Sequence, residues 1–85
     1  LQKDMMKAKE EIDNTLFTGS NSFVTVKVNG KKEVLDIKID TDSVDKDDIE
    51  MLQDILMVAL NNAFSEVDKV TEQKMSKYAN IPGLF

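Results

Sequence analysis

Residues 53–64 read Gln53-Asp54-Ile55-Leu56-Met57-Val58-Ala59-Leu60-Asn61-Asn62-Ala63-Phe64, and they decide the fold. Ile49, Leu52, Leu56, Ala59, Ala63, Val67 and Val70 recur at steps of three and four, which puts them in one stripe along a helix. Ile55, Met57, Val58, Leu60 and Phe64 widen that stripe well past the roughly 100° needed to pack one helix face. So wide a stripe calls for two covers. A small sheet supplies one, and in a chain of 85 residues a second copy of the molecule is the natural other.

The length fits one domain over 1–85, of a size that buries only a modest share of its surface when it folds alone. With no Cys, neither disulfides nor thiolate metal sites are available, and the chain reads as a protein of a reducing, cytoplasmic compartment. With no His, the usual zinc ligands and the commonest general base are missing too. No metal or other cofactor is expected. The eleven basic residues are all Lys, set against sixteen acids for a net charge of -5. That charge is uneven: +2 over residues 1–9, -1 over 10–35, -6 over 36–54 and zero over 55–85. No membrane association is expected, because Asp54 and the Asn61-Asn62 pair bracket the longest apolar run, which is far short of a span. The sequence opens on Leu1 rather than Met, which leaves room for a preceding segment, and nothing in it resembles a signal peptide.

Upstream of the long helix, Leu1, Met5, Ala8 and Ile12 step by four, three and four, predicting an amphipathic first helix over 1–13 with a narrow seam. Asn14 is suited to close it in the left-handed conformation. A three-stranded antiparallel meander is predicted over 15–40. Its first strand is Leu16-Phe17-Thr18, with Gly19-Ser20-Asn21 as the turn. Val24, Val26 and Val28 alternate with Phe23, Thr25 and Lys27, and after Asn29-Gly30 the residues Leu35, Ile37 and Ile39 alternate again. A four-residue loop, Asn29 to Lys32, sets Val26 against Leu35 and Val24 against Ile37, and it matches more apolar pairs than a two-residue loop.

The acidic stretch Asp40-Thr41-Asp42-Ser43-Val44-Asp45-Lys46-Asp47-Asp48 fails as a calcium loop. Val44 stands where an oxygen ligand is needed, and Lys46-Asp47 cannot supply the sharp glycine turn. Asp45 or Asp47 is better read as the cap of the long helix, with Asp48 or Glu50 at its third position. That helix, over 47–78, outruns a sheet of six-residue strands, roughly 45 Å against about 20 Å, so its far end overhangs onto the first helix. Residues 79–85, Ala79-Asn80-Ile81-Pro82-Gly83-Leu84-Phe85, form an apolar tail, loose or docked on a neighbour. The expected fold is α+β, in the order α-β-β-β-α, and dimeric.

The Met- and Lys-bearing first helix, the strands Phe23-Val24-Thr25-Val26-Lys27-Val28-Asn29-Gly30 and Val34-Leu35-Asp36-Ile37-Lys38-Ile39-Asp40, and the helix from Glu50-Met51-Leu52-Gln53-Asp54 to Ala59-Leu60-Asn61-Asn62-Ala63 together resemble the YbaB/EbfC family of nucleoid-associated proteins. The close Ile81-Pro82-Gly83-Leu84-Phe85 is similar to that family's ending. The resemblance implies a tweezers-shaped homodimer that binds double-stranded DNA in the bacterial nucleoid. The chain departs from such a role in its acidic balance, and it has no Arg to read guanine bidentately.

On this reading, lysines contact phosphates with little base discrimination. Lys3, Lys7 and Lys9 on the first helix, Lys74 and Lys77 near the end of the second, and Lys31 and Lys32 at the hairpin tip are the candidates. Leu52, Ile55, Leu56, Ala59, Leu60, Ala63 and Phe64 are the candidates for the dimer interface. Asn61 is a candidate for an interhelical hydrogen bond that fixes its register. The alternative is a dimeric protein-interaction module without direct DNA binding, whose arms and tail dock another protein through adaptable contacts from Met5, Met6 and Met75. Catalysis is not expected, since Ser20, Ser22, Ser43, Ser65 and Ser76 have no His to activate them.

Overall fold

A computed structural model of the chain describes residues 2–78, the side chain of Lys77 excepted; the expected tail lies outside the described residues. The elements are α1 (Gln2–Asp13), β1 (Phe17–Asn21), β2 (Val24–Val28), β3 (Val34–Ile39), a 3-10 turn at Thr41–Ser43, α2 (Ile49–Met75) and a second 3-10 turn at Ser76–Tyr78. The expected order of helix, antiparallel meander and long helix is therefore the observed one. The seam of α1 turns inward, with Ile12 buried and Met5 and Ala8 half-buried. Asn14 does not close this helix from the left-handed region; among the described non-glycine residues only Ser22 and Lys32 have positive φ. Thr15 closes it instead, its hydroxyl donating to the Glu11 carbonyl at 2.6 Å and its N–H to that of Ile12 at 3.0 Å.

The strands correct two expectations. Gly19-Ser20-Asn21 is not a turn but the second half of β1, paired in register with Val26, Thr25 and Val24. The turn is Ser22-Phe23, with Ser22 at φ 52°. Gly19 belongs in the strand because α2 lies directly on it: a Cβ there would stand 2.2 Å from the Ala63 nitrogen and 2.5 Å from the Ala59 oxygen. At the second hairpin the register is shifted by two residues from the expected one, so that Val26 faces Ile37 and Val24 faces Ile39. Asn29 donates its N–H to the Glu33 carbonyl, and Lys32 takes the left-handed conformation at φ 62°, so the loop holds three residues. The Asn29 side chain organises this loop, accepting from the N–H groups of Lys31 and Glu33 at 2.9 and 3.0 Å. A bulge opposite Lys27 and Val28 leaves Leu35 without a cross-strand partner. Counting apolar pairs missed the bulge because it assumed an unbroken alternation.

The cap of α2 is Asp48, one residue beyond the expected candidates; its carboxylate accepts the Met51 N–H at 3.1 Å. Asp45 and Asp40 instead close their own short turns, accepting from Asp47 N–H at 2.9 Å and from Asp42 N–H at 3.3 Å. Along α2, Ala59, Ala63, Val67, Met75 and Tyr78 are buried in one core cluster with Val24, Val26 and Val28 of the sheet and Ile12 of α1, and Met75 lines the cleft that Ile12 also lines. Asn62 donates to the Ser20 carbonyl at 3.0 Å, and Asn21 to that of Ile55 at 3.3 Å, tying the helix to β1 along one flank. The result is a rod of 54 × 19 × 15 Å with a radius of gyration of 16.4 Å, against about 12 Å for a compact chain of this size.

Gly19→Val should force α2 off the sheet and cost upwards of about 3 kcal/mol, the high end for overpacking, because the obstructing atoms are backbone. Asp48→Ala should cost only about 1 kcal/mol. Urea denaturation followed by circular dichroism measures both.

Candidate nucleic-acid interface

Three elements meet at one end of the rod. The contacts Asn21 to Ile55, Gly19 to Ala59 and Ala63, and Glu11 to Lys74 advance in opposite directions along the chain, so α1 and β1 run antiparallel to α2. The hairpin tip abuts the end of α1 at Gly30, where a Cβ would fall 2.0 Å from the Ile12 oxygen. Met5, Ile12, Thr71 and Met75 line the cleft between the two helices. The base of the arm is thereby fixed by backbone contact as well as by apolar packing.

The candidate lysines fall around this end but not in one cluster. Lys3, Lys7 and Lys9 are exposed on α1, interspersed with Asp4, Glu10, Glu11 and Asp13, so the helix itself carries -1. Lys31 and Lys32 are exposed in the hairpin loop, and Lys69, not foreseen among the candidates, is exposed on α2. Two candidates are held in ion pairs: Lys32 with Asp68 at 2.8 Å, and Lys74 with Glu11 at 3.8 Å. Among the described residues Lys3, Lys7, Lys9 and Lys31 form no ion pair; the side chain of Lys77 is not described. The acidic residues from Asp40 to Glu50 sit at the other end of α2, whose 27 residues span roughly 40 Å. That is about four Debye lengths at 0.1 M salt, so the acid block exerts little repulsion at the arm.

The second surface runs beside α2. Because Gly19 seats the helix over β1, and strands lie about 4.8 Å apart, β3 stands roughly 10 Å away, one helix diameter. Ile37 shares its face of the sheet with the fully buried Val26, yet is 42% exposed. At about 100° per residue, Ile55 and Asn62 occupy the flank bonded to β1, which turns Leu56, Leu60 and Phe64 toward β3. A trough one helix wide is left open, floored by β3. Of the dimer candidates, Ala59 and Ala63 have no surface to offer a second chain, since both are fully buried against Gly19. Leu52, Ile55, Leu56, Leu60 and Phe64 remain partly accessible. Asn61 is exposed, and on α2 it is its neighbour Asn62 whose side chain bonds to another element. Sequence reasoning missed Ile37 as an exposed apolar residue because alternation fixes a face but not which strand the helix covers.

A family model described as the YbaB/EbfC DNA-binding family matches residues 1–81. The chain belongs to the YbaB/EbfC family. Among its relatives, a nucleoid-associated protein of Ligilactobacillus salivarius is 44% identical over 99% of this chain and 84% of its own length. One from Clostridium novyi is 43% identical over 100% of this chain and 79% of its own length. The crystal structure of the uncharacterized protein HP0035 from Helicobacter pylori superposes with a TM-score of 0.75 at 26% identity, covering 91% of this chain and 83% of that one. The α-β-β-β-α order described above is thus a YbaB/EbfC fold. No helix among the described residues is long and apolar enough to cross a membrane.

Ile12→Ala should loosen the arm at its base, costing about 2 to 4 kcal/mol. Amide exchange measures this, with faster exchange expected in α1 than at Ala59 and Ala63.

Proposed function

We propose that two copies pair through the trough between α2 and β3, and that the paired arms hold double-stranded DNA by lysine–phosphate contacts with little base readout. The protein then acts in the bacterial nucleoid, within the cytoplasm, as the names of its relatives suggest for them. Membership of a DNA-binding family carries the DNA part of this reading. Exposure of Ile37 beside the Leu60 and Phe64 flank carries the dimer part: an apolar strip next to a sealed core is an interface in waiting. A second α2 has the width to fill it, and a two-fold axis would let each helix fill the other's trough. The net charge of -5 is no obstacle, since residues 40–50 alone carry -5 and stand far from the arm, whose own acids and lysines balance with the rest of the chain. The absence of Arg favours backbone contact over base recognition.

The test is a mobility-shift titration across salt concentrations. Binding by several phosphates should give a log-log slope of about -0.9 per contact, and Lys3→Gln with Lys7→Gln should flatten it by about 0.9 per lysine that touches DNA. A flat salt response, together with capture of a protein that survives nuclease treatment, would instead support a protein-docking module at the arms.

A further inference from the structure

The two ion pairs at the arm join different elements: Lys32 of the hairpin meets Asp68 of α2, and Lys74 of α2 meets Glu11 of α1. The Lys32 pair is the tighter, at 2.8 Å, and both its side chains are largely solvated, 46% and 66% exposed. Hydrogen bonding fixes the loop that presents Lys32: the Asn29 side chain holds the Lys31 and Glu33 N–H groups, and Gly30 rests on α1. The backbone from which Lys32 projects is therefore set, and its Nζ faces a carboxylate, an anion with the same oxygen chemistry as a phosphate. An ion pair this exposed adds little to stability, so a phosphate can displace the carboxylate without unfolding anything.

From this geometry we infer that Asp68 is an internal competitor for the phosphate site at Lys32 and sets the affinity of the arm for DNA. The inference rests on the DNA-binding reading above and deepens it by naming what attenuates the contact. With Lys32 engaged, the arm binds through its unpaired lysines and gains Lys32 only where a phosphate displaces Asp68. Glu11 acts in the same sense on Lys74, more weakly at 3.8 Å.

The experiment is a double-mutant cycle read by mobility shift on a short mixed-sequence duplex, with circular dichroism confirming that each variant folds. Asp68→Asn should raise affinity by up to about eightfold per released lysine at 0.1 M salt and steepen the log-log slope by about 0.9 per lysine. In a Lys32→Met background the same substitution should add no more than Glu72→Gln, which removes an acid one turn further along α2. A gain in the Lys32→Met background that exceeds the Glu72→Gln gain overturns the inference, because Asp68 would then act otherwise than through Lys32. So does unchanged affinity of Asp68→Asn where the wild-type protein shifts the duplex. If the wild-type protein shifts no duplex even at low salt, the DNA reading itself fails.

Discussion

Everything in the molecule follows from backbone meeting backbone at Gly19. With no side chain at that position, Ala59 and Ala63 settle directly onto β1, and the axis of α2 is pinned over the edge of the sheet rather than over its middle. Two asparagines, Asn21 and Asn62, hold it there from one side. An off-centre helix seals Val24, Val26 and Val28 but cannot reach β3, so Ile37 is left half in water on the same face. The chain has solved half of its packing problem and carries the other half on its surface.

The same placement produces the arm. Running antiparallel to β1 and longer than any strand, α2 must overshoot the sheet, and Met75 would be stranded without α1. The seam of α1 covers it, and the hairpin closes the joint by pressing Gly30 onto the last turn of α1. The candidate lysines fall around this end among acids of their own, while the capping acids gather at the start of α2, where helix and turn N–H groups need acceptors. Separation of the two along a 54 Å rod lets an acidic protein belong to a DNA-binding family without contradiction.

Much of this was legible from residue types alone. Periodicity located both helices and the strands, and the excess apolar width of Ile55, Leu60 and Phe64 pointed to a surface in need of cover. What stayed hidden depended on close approach between distant parts of the chain. Gly19 has the chemistry of a turn and is used as a gap in a strand; only the alanines forty residues later reveal why. The bulge at Leu35 and the left-handed Lys32 accompany side-chain bonds of Asn29 that no alternation of apolar residues encodes. Ala59 and Ala63 looked like interface because they sit in the stripe, yet their smallness is what lets them vanish beneath it. The ion pairs of Lys32 and Lys74 likewise join residues far apart in sequence, so a count of lysines could not separate the engaged from the open.

In the proposed pairing, a second copy covers the strip from Ile37 to Leu60 and Phe64 in solution. Sedimentation equilibrium at low micromolar concentration tests it most directly. Pairing gives twice the chain mass of 9.6 kDa, reverting to the single mass when Ile37 is replaced by Lys. A wild-type protein that sediments as one chain would contradict it.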